Sequence, residues 1–306
     1  MMGSTCFGSA VWLVFVWLAL RGKLALWVIE PLFLLAPLVL VPLALPLIEE
    51  PDRFPWVRRL QPSCALAAAA SFALPRGVPA AALAAVWLAF TGLLALHGLE
   101  RLRARGFSVA AEVAVDAALF FLPVGGGWLV LSRLGARPLG FDEPIVLLTA
   151  VHFHYAAFTA LVLTGLVGRA LGPSALYRGI VTGAIVGTPL LAAGITVSPL
   201  LELVGAGVLA TAFSALAVLV LVALRPRIRA RPARAFLTVS ALSLLPAMAC
   251  ALAYAWGEFT QGPVIALSWM ARIHGTANAL GFGLCGLLGW TLAARATPTG
   301  RSCKEE

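Results

Sequence analysis

AVWLVFVWLAL, residues 10–20, runs for eleven residues without a charged side chain. Runs of this kind recur along the chain, most of them about 20 residues long and separated by short polar punctuation. That length matches the roughly 30 Å hydrocarbon core of a bilayer. Across 306 residues the chain is 61% hydrophobic and 11% charged, with a mean hydropathy of +0.97. Soluble domains lie near about 45–50% apolar and 25% charged. The expected fold is therefore an all-α integral membrane bundle, one polytopic domain over residues 1–306 with no soluble domain. The first run follows an uncharged stretch with no basic n-region and no small-residue cleavage site, so it is expected to be a retained span rather than a signal peptide.

Ten spans are expected, at about 7–20, 24–48, 62–74, 78–99, 109–131, 144–167, 175–196, 200–224, 236–256 and 264–294. The net charge of +9 then has a topological cause. Of the 22 Lys and Arg residues, 16 fall in alternate loops on one side, including Arg53, Arg58, Arg59, Arg101, Arg103, Arg105, Arg169, Arg178, Arg225, Arg227, Arg229, Arg231 and Arg234. Five fall on the other side, and Arg272 lies within a span. By the positive-inside rule both termini are cytoplasmic, and the basic excess calls for no nucleic acid. The expected partners are the bilayer itself and, at the Arg225–Arg234 loop, anionic lipid headgroups. The segment 62–74 is short for a span; as a re-entrant segment it would leave nine spans and move the N-terminus outside, without changing the sides of the later loops.

Cys6, Cys64, Cys250, Cys285 and Cys303 show no C-x-x-C and no paired spacing, which argues against a disulfide frame or a thiolate zinc site and for small apolar fillers. Pro31, Pro37, Pro42 and Pro46 fall in one span and should kink it.

Ionisable groups are costly in hydrocarbon and usually face an interior cavity. His152 and His154 lie about 12 and 15 Å into their span from Pro144, and Arg272 and His274 about 14 and 16 Å into theirs from Pro263. Both segments thus set rare polar side chains near one depth. Glu202, Glu258, Tyr155 and Tyr254 fall nearby, which predicts a polar pocket towards the outer face. On a regular helix His152 and His154 point about 200° apart, so one is expected to act and the other to support it. His274 and Asn278, four apart, share a face, and Asn278 is a candidate to hold the His274 ring. The glycines at 275, 281, 283, 286 and 289 should admit a neighbouring helix.

The candidate set is His152, His154 and His274 for acid–base, proton-transfer or metal chemistry, with Arg272, Asn278, Tyr155, Glu202 and Glu258 contacting a substrate. The residues name neither a metal nor a cofactor. A buried histidine also serves as an interhelical anchor, and Arg272 paired with Glu202 or Glu258 would be a structural ion pair. Glu112 and Asp116 share one face at the inner side and would guard a gate or cap the bundle. His97 is expected at the interface, and Asp142 and Glu143 suit a helix N-terminus.

TAVHFHYAAF (149–158) and HGTANALGFG (274–283), with PLVLVPLALPL (37–47), resemble the YndJ-like family of bacterial multi-pass membrane proteins, and the likeness runs across most of the chain. The resemblance implies a bacterial inner-membrane protein in which His152, His154, His274 and Asn278 form a unit. It implies no catalytic assignment. Three function classes remain open. One is a permease that binds a small solute, anionic if Arg272 contacts it, and couples protons through histidine. A second is an intramembrane enzyme using histidine acid–base or histidine–metal chemistry on a lipid or isoprenoid, although no H-x-x-x-H, acidic run or nucleophile elbow is present. The third is a structural membrane subunit.

Overall fold

The computed structural model describes residues 2–23, 28–49 and 55–296, and every regular element among them is helical. The described residues form ten rods: α1 (Met2–Leu20), α2 (Ile29–Ile48), α3 (Pro55–Ser71), α4 (Val78–Arg105), α5 (Ala110–Leu134), α6 (Ile145–Leu171), α7 (Ala175–Val197), α8 (Pro199–Arg227), α9 (Arg231–Thr260) and α10 (Leu267–Ala296). Eight of them, α2 and α4 to α10, are long and apolar enough to cross a membrane. Arg53, Arg301, Lys304 and Cys303 lie outside the described residues.

Residues 62–71 of the expected third span fall within the helix α3, and 72–74 turn away after its end. Trp56 near its start packs edge-on against Phe90, about midway along α4, with ring centroids 6.2 Å apart. At the far end Arg133 donates to the Leu74 carbonyl at 2.9 Å. Successive rods alternate in direction, so the bundle has an Arg101 end and an Arg133 end. Burial separates the rods into inner and outer: 78% of the most apolar window of α2 and 72% of that of α6 is buried, against 33–50% for the other six long helices.

Hydrogen bonds to its backbone hold α2 at the centre. A proline has no N–H to donate, so it leaves carbonyls one turn back in search of partners. Residues Ala36–Leu40 relax into a π-helical turn. There the Ala36 N–H turns to Phe33 O and that of Val41 to Ala36 O. The displaced carbonyls are taken from other helices. Tyr155 Oη donates to Leu32 O at 2.7 Å, and Gln61 Nε2 to Pro37 O at 2.7 Å. Trp12 Nε1 donates to Pro31 O at 2.8 Å. Around its π turn, α2 is thus tied to α1, α3 and α6 by these three hydrogen bonds.

At the Arg101 end, side chains from four rods converge. Arg101 donates to Glu49 at 2.5 Å, to Glu112 at 2.8 Å and to Asp116 at 2.7 Å. Arg105 bonds Glu112 and Asp116, and His97 Nε2 lies 3.0 Å from Glu49 Oε2. Arg169 from α6 joins Glu112 at 2.7 Å and caps the free carbonyls of Leu47 and Ile48 at the end of α2. His97, expected at the interface, is part of this network because Glu49, just past α2, folds against α4. Burial alone would raise the Glu49 carboxyl, but hydrogen bonds and charges from His97 and Arg101 outweigh it and hold the group below its ordinary value.

Candidate functional site

The two histidines of α6 have different surroundings. His154 is fully buried, and both of its ring nitrogens are used. The Trp87 indole N–H donates to Nε2 at 3.0 Å, which fixes Nε2 as the acceptor. Nδ1 then carries the proton and donates to Ala150 O at 2.8 Å. Phe33 stands edge-on to the ring with centroids 5.0 Å apart. Gly125 of α5 leaves the space: a Cβ there would sit 2.5 Å from His154 Nδ1. This histidine is an interhelical anchor linking α4, α5 and α6.

His152 is the less constrained of the two. Its Nε2 is buried and has no hydrogen-bond partner, and His274 of α10 lies within electrostatic reach. Residues Phe153–Thr159 form a π turn immediately after it, and Ala277–Leu284 form another just after His274. π turns insert an extra residue and re-aim side chains, often at functional positions. Gly283 brings the two π turns together with that of α2, since its Cβ would meet Thr159 at 3.3 Å and Leu40 at 3.5 Å.

The hold on His274 differs from expectation. Its Nδ1 lies 2.8 Å from Ala247 O of α9, so the backbone carbonyl fixes the ring. Asn278 Nδ2 donates instead to the backbone carbonyl of His274 at 2.9 Å. The reason is helical geometry: a short amide four residues on reaches the preceding turn's carbonyl before it reaches a ring tilted towards α9. The glycines of α10 set this register. Cβ atoms at 281, 286 and 289 would press on Ser243, Ser240 and Leu237 of α9 at 2.3–2.9 Å.

The remaining candidates separate. Tyr155 is committed to Leu32 O. Arg272 is exposed, its guanidinium 5.7 Å above the Trp269 ring, so it lines an open face rather than an enclosed pocket. None of Leu267–Thr276 is fully buried, and Leu267, Met270 and His274 are half-buried. Glu202 and Glu258 lie near each other across α8 and α9, with Tyr254 close to both. Among the described residues, no three His, Cys, Asp or Glu side chains are grouped to hold a metal, so the three histidines do not form one ligand set.

Several contributors escaped sequence reasoning. Trp87 and Gly125 read as ordinary span residues, and a backbone carbonyl such as Ala247 O leaves no signal at all. The contact between Cys250 Sγ and Met270 Sδ, at 3.5 Å, joins residues twenty apart on different helices.

Comparisons with known proteins place the chain. It is 31% identical over 210 residues to a Bacillus subtilis (strain 168) protein described as uncharacterized membrane protein YndJ, a match covering 68% of this chain and 38% of that one. The chain thus spans well under half the length of that relative. No solved structure matches. The family model described as YndJ-like protein matches residues 31–282, a segment that includes the π turns of α2 and α6, His152, His274 and Asn278. The chain is a multi-pass membrane protein that belongs to the YndJ-like family.

Proposed function

We propose that this protein is a permease for a small solute, whose polar station lies where α6, α9 and α10 meet at His152, His274 and Asn278. The observation that carries the proposal is the buried Nε2 of His152, which has no hydrogen-bond partner and neighbours His274. A buried polar atom left without a partner costs free energy unless something transiently satisfies it. A passing solute or water does so. Arg272, on the unburied face of α10, offers a permanent positive charge to a solute carrying an anionic group. The π-broken rods α2, α6 and α10 resemble in kind the interrupted helices that line transport sites. Proton coupling is part of the proposal, and so is the orientation that puts the Arg101 end and the Arg225–Arg234 loop in the cytoplasm, against anionic lipid headgroups.

Single cysteines placed along α10 from Trp269 to Leu288 and probed with membrane-impermeant thiol reagents test this. The expected result is a stripe of reactivity that passes His274 and reaches both ends as conditions change. Labelling confined to the Arg133 half under every condition would reject transport.

A further inference from the structure

The Arg101 end of the bundle holds two kinds of arginine. Arg101, Arg105 and Arg169 are paired with carboxylates. Between Glu202 and Glu258, by contrast, the chain contains five arginines and no acidic residue. Local structure aims two of the five. Val220–Leu224 is a π turn, and the Arg225 N–H bonds Val220 O, five residues back instead of four, so Arg225 stands over Val220. Its Nε donates to Thr238 Oγ1 at 3.1 Å, and Thr238 Oγ1 donates to Arg234 O at 2.7 Å. Arg234 precedes Leu237 by three residues and Ala241 by seven, on one face of α9.

Val220, Leu237 and Ala241 are walls of one recess. The rods α6, α8, α9 and α10 leave a narrow apolar gap between them, lined also by Val167, Gly286 and Trp290. Ser240, on the same wall, donates its hydroxyl to Phe282 O at 2.8 Å, so the gap offers little to a water or a polar solute. Of these residues only Trp290 is half-buried rather than buried. It sets the mouth of the gap towards the Arg101 end, at the level where tryptophans meet headgroups.

We propose that the recess and the Arg225–Arg234 pair form one binding site for an anionic phospholipid, with an acyl chain in the recess and the phosphate between the two guanidiniums. Charge selects the headgroup. Guanidinium N–H groups match phosphate oxygens in parallel pairs, and with Nε of Arg225 held by Thr238 its terminal nitrogens are the donors. Basic pockets between spanning helices bind anionic headgroups in this way. Shape selects the tail, because a narrow apolar gap forfeits dispersion contacts until a chain fills it. A soluble anion would use the arginines and leave the gap idle. The inference rests on the headgroup contact proposed above for this loop; it is read by binding, without flux, so it and the permease reading can fail separately.

The test is native mass spectrometry of the delipidated full chain in detergent, titrated with phosphatidylglycerol or with phosphatidylcholine of the same acyl chains. One phosphatidylglycerol per chain is expected, retained at activation energies that strip phosphatidylcholine, and an equal concentration of inorganic phosphate should not displace it. Arg225→Gln and Arg234→Gln should each weaken binding at least about fivefold, whereas Arg227→Gln and Arg229→Gln should leave it unchanged. Ala217→Leu, which fills the recess without altering charge, should weaken it as well. The arginine variants change side chains that are exposed or half-buried and keep the chain folded, so they decide the matter even if Ala217→Leu does not fold. Phosphatidylcholine held as tightly, equal losses from Arg227→Gln and Arg229→Gln, displacement by inorganic phosphate, or undiminished binding in folded Ala217→Leu would overturn the assignment.

Discussion

The Trp87 indole N–H donates to Nε2 of His154 across the interior of the bundle, at 3.0 Å. Together with the Ala150 carbonyl on Nδ1, this hydrogen bond uses every polar atom of the ring. It identifies His154 as part of the frame that positions His152 two residues earlier.

Trp87→Phe keeps most of the packing but strips the donor from His154. Leaving a buried acceptor unsatisfied costs about 1–3 kcal/mol, so the variant should denature at lower temperature in detergent. The double variant Trp87→Phe with His154→Phe should recover part of that loss, since removing both partners is cheaper than orphaning one. A double variant no more stable than Trp87→Phe would show that the hydrogen bond is not what the pair contributes.

His152 should behave in the opposite way. Its Nε2 makes no hydrogen bond to lose, so His152→Leu should stay within about 1 kcal/mol of the parent or gain stability. If the polar station is functional, solute movement should vanish in this fully folded variant. A thermal scan beside a flux assay in proteoliposomes separates the two effects, and a variant that is simply degraded would make His152 a structural residue.

Arg101 ties Glu49, Glu112 and Asp116 together, and Asp116 is only 2% exposed. Arg101→Ala leaves those carboxylates buried with fewer partners, at a cost of about 3 kcal/mol or more. Arg101→Lys should recover only part of it, because an ammonium cannot span three carboxylates as the guanidinium fork does. Chemical denaturation of the three proteins in detergent gives the comparison.

The same network sets a pH dependence. Because the Glu49 value is lowered on folding, its stabilisation is complete above the unfolded value of 4.5. It is lost as pH falls through the lower folded value. Apparent melting temperature should therefore not change through Glu49 between about pH 7 and 5.5, and should fall in more acidic buffer. Glu49→Gln should lower it at neutral pH and flatten the acid limb. An acid limb identical in Glu49→Gln would assign the loss to other carboxylates.

Gly8 marks the closest approach of α1 to α2, where a Cβ would sit 2.0 Å from the Leu38 carbonyl oxygen. Backbone cannot yield as a flexible side chain can, so Gly8→Val should detach α1. Protease exposure of the N-terminal segment, with the remaining rods intact, is the expected readout.

The sequence by itself determined the class, the approximate number of rods and their alternating direction. It could do so because lipid solvates only apolar side chains and demands that each rod satisfy its own backbone. The spacing of His152 and His154 already required two different environments. Only the tertiary structure decided which histidine acts as the anchor. That choice depends on Trp87, 67 residues away in sequence, and on the room left by Gly125. It likewise assigned the His274 ring to a backbone carbonyl rather than to Asn278, left Arg272 exposed on α10 and brought Cys250 against Met270. Such pairings are set by how rods pack against one another. In a chain where almost every face is apolar, periodicity does not distinguish the face that meets lipid from the face that meets another helix.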